Sequence, residues 1–150
     1  MSINPDHVLI KTFLEHPDKP VPFNSCELAV MLGAQIVRVD PAASTLELSY
    51  EPPQSFAQGM GVLQGGIVTA MLDFAMALST MARLPLNRSC ATVSMNVNFL
   101  RAARLTRYRT VAVADRVGKS LAFAHARLLM EENNELVATA SSTLALADCG

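Results

Sequence analysis

The chain has 150 residues, of which 51% are hydrophobic and 17% are charged. This length allows a domain with a sizeable core, and the composition is too apolar for a disordered chain. The formal net charge is -1 with no basic run, so the electrostatic footprint of nucleic-acid binding is missing. Three cysteines without metal-like spacing imply neither a disulfide framework nor a zinc site. The apolar composition also suggests that a second copy of the chain covers part of the surface.

The N-terminal region predicts two short helices separated by prolines. It has neither the basic start nor the apolar run of a signal peptide, so we expect a cytoplasmic protein. Proline and aspartate suit the first turn of a helix over residues 5–14, and Gly33 suits the end of a helix over residues 25–32. We treat residues 1–33 as an N-terminal helical extension.

The rest of the chain predicts one long helix between strands. The expected strands are residues 34–40, 45–50, 89–100, 105–117, 120–130 and 136–147, and the helix spans 65–83. Hairpin-length connections indicate an antiparallel sheet of about six strands, and wrapping that sheet around the apolar helix buries it. The prediction is therefore an α+β core over residues 34–147, with residues 1–150 forming a single domain.

The long helix is apolar enough to raise the alternative of a membrane span, which needs about 20 residues. Two glycines open it and Asp73 lies in its middle, so a buried helix of a protein without a membrane segment is the preferred interpretation. An ionised carboxylate is costly to bury unless its pKa shifts or donors surround it. Asp73 is therefore the main candidate for chemistry, whereas Thr69 and Thr80, on the same stripe, can bond back to their own helix.

The helix begins at Gln64-Gly65-Gly66, where backbone amides lack intrahelical partners and glycine admits a ligand. Such amides can stabilise an oxyanion. Gly65 and Asp73 are eight residues apart, about 12 Å along a helix, so one helix cannot aim both at one small reacting group. If they act together, they come from two subunits related by a two-fold axis.

Alternation along the strand after the helix predicts that Thr92, Ser94, Asn96 and Asn98 share one face. Further along, the arginines at 101, 104, 107 and 109 are interpreted as solvated strand ends. The three histidines, His7, His16 and His125, are expected to be structural or exposed to solvent.

Over residues 34–147 the chain resembles the hotdog-fold acyl-CoA thioesterases of the phenylacetic-acid-degradation type. The order of strands and helix carries the resemblance, together with Leu63-Gln64-Gly65-Gly66, Leu72-Asp73, residues 95–103 and residues 117–123. The resemblance implies hydrolysis of an acyl-CoA thioester, with coenzyme A as part of the substrate and no metal or redox cofactor. It implies a homodimer as the minimal unit and a homotetramer as the expected assembly, with neither nucleic acid nor membrane as partner.

The resemblance also implies roles for individual residues. Asp73 would be the general base or nucleophile, and the Gly65 amide would polarise the carbonyl. Gln58 would help to place water or substrate, and the Thr92 hydroxyl would orient the water. The residues assigned to substrate or coenzyme A binding are Gly66, Asn96, Arg101, Gly118, Lys119 and Ser120.

One departure from the family concerns Gln64, which stands where the family usually has histidine. Glutamine can donate a hydrogen bond but cannot titrate. Two alternatives stay open: a 3-hydroxyacyl-thioester dehydratase, which the missing histidine disfavours, and a non-catalytic acyl-CoA sensor. The acyl group is also open, although methionines near the helix hint at an adaptable pocket.

Overall fold

The computed structural model describes residues 3–150, so the first two residues of the predicted extension lie outside the described part. It contains three α-helices, a single 3₁₀ turn at Gln54–Phe56, and seven strands. The helices are α1 (Pro5–Glu15), α2 (Glu27–Met31) and α3 (Gly65–Met81). The strands are β1 (Val21–Pro22), β2 (Gln35–Asp40), β3 (Thr45–Tyr50), β4 (Arg88–Phe99), β5 (Tyr108–Val117), β6 (Leu121–Met130) and β7 (Leu136–Asp148).

All strands pair antiparallel in one sheet with the order β1-β2-β3-β5-β6-β7-β4. The predicted α+β architecture, an antiparallel sheet around a long helix, is confirmed. The sheet has one strand more than expected, because two residues in the proline-rich stretch pair with β2. Proline is tolerated there because β1 is an edge strand.

Helix α3 lies against the sheet and supplies the centre of the core. Met71, Leu72 and Ala75 are fully buried on it, and each large apolar side chain buried this way contributes about 2 kcal/mol. The Tyr50 hydroxyl donates a 2.8 Å hydrogen bond to the Met71 carbonyl, which ties β3 to the middle of the helix. The middle of α3 is therefore held firmly in place.

Strand β4 contains a bulge that changes the predicted face of Thr92. Thr92 opposes Leu144 and Ser94 opposes Thr143, so Val93 is an extra residue without a partner. Such a residue reverses the alternation that follows it. Thr92 therefore points toward α3, as its contact with Asp73 shows, whereas Asn96 lies on the outer face of the sheet. The prediction that these residues share one face is wrong for Thr92.

The N-terminal extension is anchored to the beginning of β4. His7 is buried, and its Nε2 lies 2.8 Å from the Arg88 carbonyl, which can only accept, so Nε2 carries the proton. The Asn4 amide donates to the Ser89 hydroxyl at 2.9 Å. These two contacts position α1 beside the strand that carries Thr92.

Within residues 3–150, no helix is both long and apolar enough to cross a membrane. Helix α3 has 17 residues, and Thr69 and Thr80 bond back to the carbonyls of Gly65 and Met76 as expected. The predicted helix extended two residues further, into a non-helical turn that precedes Pro85.

Candidate active site

Asp73 lies in the middle of α3 and accepts a 2.7 Å hydrogen bond from the Thr92 hydroxyl. A short bond to one carboxylate oxygen fixes the rotamer of the acid and leaves its other oxygen free. The side chain is half-buried, so the expectation of a fully buried acid is wrong for a single chain. Asp73 instead opens into a cleft of about 400 Å³.

We call this cavity the acid cleft. Its walls come from α3, from β4 and from the N-terminal extension, and its lining residues are Asn4, Pro5, Asp6, Phe23, Ser25, Cys26, Asp73, Phe74, Ala77, Leu78, Cys90 and Thr92. Half of these residues precede residue 27, although the sequence interpretation placed no functional residue there. The extension is therefore part of the candidate site.

Cys90 lies in the acid cleft, and its thiol contacts the Ala77 carbonyl at 3.6 Å. Burial, together with the negative charges of Asp6 and Asp73, raises the pKa of the Cys90 thiol to about 12. Because the thiolate is the nucleophilic form, Cys90 is not a candidate nucleophile at neutral pH.

The start of α3 presents a second set of groups. In the described chain, the amide nitrogens of Gly65 and Gly66 have no protein acceptor, so both are free to donate. A Cβ at Gly65 would lie 3.4 Å from the Phe99 ring, and one at Gly66 would meet nothing within 4 Å. The protomer alone thus gives no steric reason for glycine at position 66.

Gly65 borders a different cavity of about 430 Å³, which we call the amide cleft. It is lined by Val62, Leu63, Gly65, Val68, Phe99, Leu100, Arg101, Ala102 and Ala103. Arg101 is exposed and forms a 2.9 Å ion pair with Glu135. The structure brings Gly65 and Arg101 to one cleft and places Asp73 and Thr92 in another.

The two glutamines predicted to act in the site, Gln58 and Gln64, belong to the segment that precedes α3. Gln64 occupies the N-cap position of α3, is exposed, and makes no capping bond through its side chain. The Gln58 side chain accepts a 2.8 Å hydrogen bond from the Met60 amide and so stabilises its own loop. Gly61, at φ +72°, closes that loop with a bond to the Gln58 carbonyl.

The remaining predicted binding residues lie away from Arg101. Gly118, Lys119 and Ser120 form the β5–β6 turn, and the Lys119 carbonyl accepts from Arg88, at the opposite end of β4 from Arg101. Asn96 lines a third cavity, on the outer face of the sheet. A single protomer does not gather these groups around one ligand.

The other predicted arginines all form ion pairs. Arg104 pairs with Glu132, and Arg107 pairs with Glu51 and Glu131; the two arginines are exposed, as interpreted from the sequence. Exposed pairs of this kind contribute little to stability. Arg109 instead forms a partly buried pair with Glu47 and also donates to Asn134.

None of the three histidines lines either cleft. His16 ends α1 in solvent, and His125 pairs with Asp115 on the outer face of the sheet at 2.8 Å. Among residues 3–150 no group of three histidine, cysteine, aspartate or glutamate side chains could hold a metal ion.

An antiparallel sheet wrapped around a helix with a glycine-rich start defines a hotdog-fold protein. The sequence profile of the thioesterase superfamily matches residues 60–137. A solved phenylacetic acid degradation-related protein of Ralstonia eutropha is 33% identical, with a TM-score of 0.78, 91% of this chain covered and 98% of the other. The chain belongs to the thioesterase superfamily.

Two further solved structures show the same fold at lower identity. A thioesterase family protein of Silicibacter pomeroyi is 24% identical, with a TM-score of 0.77, and 95% of this chain and 98% of the other are covered. A thioesterase of Haemophilus influenzae is 22% identical, with a TM-score of 0.73, and coverage is 80% of this chain and 82% of the other. No curated protein sequence matches this chain.

Proposed function

We propose that this protein hydrolyses acyl-coenzyme A thioesters to a free acid and coenzyme A. The observation that carries the proposal is the pair of half-sites on α3: unpaired amides at its first turn and a carboxylate held by Thr92 in its middle. Thioester hydrolysis needs both an oxyanion donor and a base or nucleophile. Membership of the thioesterase superfamily supports the same reaction.

The two half-sites lie in separate clefts of one protomer, about 12 Å apart along α3. We therefore propose a two-fold homodimer in which Asp73 faces Gly65 of the partner subunit. The free edge of β4 supports this assembly, because Val93 is 62% and Phe99 55% exposed along it. A long edge strand with unpaired backbone groups and exposed apolar side chains is a template for pairing with another chain.

In the proposed reaction, water attacks the thioester carbonyl while Asp73 takes its proton. The carbonyl oxygen becomes an oxyanion bonded to the Gly65 amide, with Gln64 or Gln58 as a second donor. Collapse of this intermediate breaks the C–S bond and releases the thiolate. Alternatively, the Asp73 carboxylate attacks the thioester carbonyl and displaces the thiolate of coenzyme A, which forms a mixed anhydride. Water then cleaves the anhydride to the free acid and the Asp73 carboxylate. The two routes differ when the reaction is run in ¹⁸O-labelled water. Only the anhydride route can place label on the carboxylate of Asp73, when water attacks the anhydride at the aspartyl carbonyl.

The same dimer would assemble the site for the nucleotide part of coenzyme A. Arg101 and the turn at residues 118–120 lie at opposite ends of β4. At the usual rise per residue of a strand, β4 is roughly 36 Å long, so one ligand cannot reach both within a protomer. An antiparallel partner strand would bring Arg101 of one subunit toward Lys119 of the other. We propose that Arg101, Gly118, Lys119 and Ser120 bind the phosphates, and that Gly66 admits the thioester to the helix start. Asn96 lies on the outer face, so it has no role in this proposal.

A dehydratase is the less suitable alternative, because its chemistry relies on a histidine and none lines either cleft. A non-catalytic sensor would not need the Thr92 bond that orients Asp73. We propose further that the protein needs no metal or redox cofactor, so EDTA should leave turnover unchanged. A single domain over residues 1–150 with its hotdog core at residues 34–147, a homotetramer and a cytoplasmic location stay predictions.

Complementation between inactive chains tests the proposal most directly. Gly65→Pro removes the donor amide, and proline suits the first residue of a helix after the extended Gln64 backbone. Gly65→Ala, which retains the amide, is the matched control. Each inactive homodimer, Gly65→Pro or Asp73→Asn, should lose about a hundredfold in kcat toward acyl-CoA.

A heterodimer of these two chains, purified through two different tags, contains one intact site if the half-sites meet across the interface. It should recover about half of the wild-type turnover. A heterodimer as inactive as its parents would contradict the two-chain site. Wild-type protein that binds acyl-CoA without releasing thiol would favour the sensor.

A further inference from the structure

Asp6 lines the acid cleft together with Asp73, although it comes from the N-terminal extension. Its position is fixed, because its amide donates a 2.9 Å bond to Asn4, whose side chain in turn donates to Ser89 on β4. The neighbouring His7 is buried and bonded to the Arg88 carbonyl. The carboxylate therefore sits on a well-anchored turn beside the cleft.

The residues that line the acid cleft include two carboxylates and no lysine or arginine. Asp6 forms no ion pair within residues 3–150. Cys90 lines the same cleft, and its thiol pKa is raised mainly by burial and additionally by the charges of Asp6 and Asp73. Negative potential from two sources therefore reaches the same point in the cavity.

The remaining wall of the cleft is apolar. The rings of Phe23 and Phe74 meet edge to face, with centroids 5.2 Å apart and an interplanar angle of 82°. Leu78 and Ala77 extend this surface along α3. Such a wall binds hydrocarbon, and no cation beside it would neutralise a charged acyl terminus.

We propose that Asp6 determines specificity by making the acid cleft reject acyl groups that end in a carboxylate, so that the substrates are thioesters of neutral acyl chains. This inference rests on the proposed function, because it takes the acid cleft as the acyl site. Burying a second anion beside Asp6 and Asp73 is unfavourable on two counts, like-charge repulsion and loss of hydration. A neutral acyl chain incurs neither cost.

A different reason for an aspartate at this position is the positive end of the α1 dipole, which favours acids in the first turn. That role affects the stability of the helix but not the choice of substrate. The two explanations therefore differ in one measurable quantity, the ratio of kcat/KM for neutral and anionic acyl groups.

The experiment compares pentanoyl-CoA with glutaryl-CoA, which have equal numbers of acyl carbons and differ in the terminal carboxylate. Wild-type protein should prefer pentanoyl-CoA at least tenfold in kcat/KM. Asp6→Asn and Asp6→Ser should each reduce this preference at least fivefold. Asp18→Asn, which removes an exposed charge outside the cleft, is the matched control and should leave the preference unchanged.

Equal turnover of both compounds by the wild type, or an unaltered preference in both Asp6 variants, would overturn the inference while leaving the hydrolysis intact. Turnover of neither compound would contradict the proposed function instead. In that event, calorimetry should measure the affinities of the two compounds. The inference is supported if the wild type binds pentanoyl-CoA more tightly than glutaryl-CoA and Asp6→Asn binds the two more equally. Equal binding of both compounds by the wild type rejects it.

Discussion

The two clefts along α3 differ in what they offer a substrate. The amide cleft has a free backbone donor at Gly65 and an arginine, Arg101, in its lining. The acid cleft has carboxylates and an apolar wall. One cleft is thus suited to developing negative charge, and the other to proton removal and an acyl chain.

Neither cleft alone holds a complete set of groups for thioester hydrolysis, and both lie on one rigid helix. The helix therefore keeps the donor and the acid apart within a protomer. In the proposed dimer, a two-fold axis would place the donor of one subunit beside the acid of the other, so each subunit would supply the group that the other lacks. Variants in each cleft can test this comparison, and Gly65→Pro tests the amide cleft most severely because it removes the donor itself.

The largest effect is expected at the acid cleft. Asp73→Asn preserves the shape of the side chain and its bond with Thr92 but removes the base, so kcat should fall at least about a hundredfold. The thermal midpoint and the oligomeric state should stay close to wild type. Asp115→Asn, on the outer face of the sheet, is the control. Wild-type turnover by Asp73→Asn would remove this residue from the mechanism.

A smaller effect is expected from the residue that orients the acid. Thr92→Val keeps the volume but removes the 2.7 Å hydrogen bond to Asp73. A hydrogen bond to a charged group contributes about 1.5–3 kcal/mol, so kcat should fall roughly tenfold or more. Thr92→Ser restores the hydroxyl and should recover most of the turnover. If Thr92→Val and Thr92→Ser release thiol at the same rate in stopped-flow measurements, the hydroxyl has no orienting role.

Arg101, which lines the amide cleft, should affect KM rather than kcat. Arg101→Met removes an exposed cation proposed to bind phosphate, and such a contact contributes about 1 kcal/mol or less, so KM for acyl-CoA should rise up to about fivefold. KM for the matching acyl-pantetheine, which lacks the nucleotide, should not change. Arg104→Met, which breaks the pair with Glu132 and the contact with the Met130 sulfur but touches neither cleft, is the control. An equal rise for both substrates would argue against phosphate binding.

The smallest effect separates stability from activity at the start of α3. Gly66→Ala adds a methyl group that meets nothing within 4 Å, and alanine is favoured over glycine in helices by about 1 kcal/mol. The free energy of unfolding, measured in urea, should therefore rise by up to about 1 kcal/mol. Turnover should fall nonetheless, because the methyl obstructs the approach of the thioester to the amides. Gly59→Ala, in the preceding loop, should leave turnover unchanged.

The strands and helices followed from local signals. Apolar periodicity and the positions of glycine and proline placed α3, β3 and the four later strands within a few residues of the observed bounds. The two-residue strand β1 was missed because its pairing with β2 is a tertiary contact and proline predicts a break. Asp73 and Gly65 stood out because local propensity does not explain a charge, or paired glycines, in that helix.

Other features of the site depend on packing between distant residues. The bulge at Val93 turns Thr92 toward Asp73, although simple alternation predicts the opposite face for it. Arg101 is paired with Glu135, and the turn at residues 118–120 lies at the far end of β4. Asp6, Phe23 and Cys90 share a cleft with Asp73 although they come from widely separated parts of the chain.

The sequence by itself determined which segments form strands and helices, because periodicity, capping and propensity are properties of neighbouring residues. For the same reason it singled out Asp73, the carboxylate proposed to act in the reaction. Only the tertiary structure decided which groups share a cleft. The bond from Asn4 to Ser89 spans 85 positions, and contacts of that range depend on how the whole sheet closes around α3. The N-terminal extension became a wall of the acid cleft for this reason, through packing that no local pattern encodes.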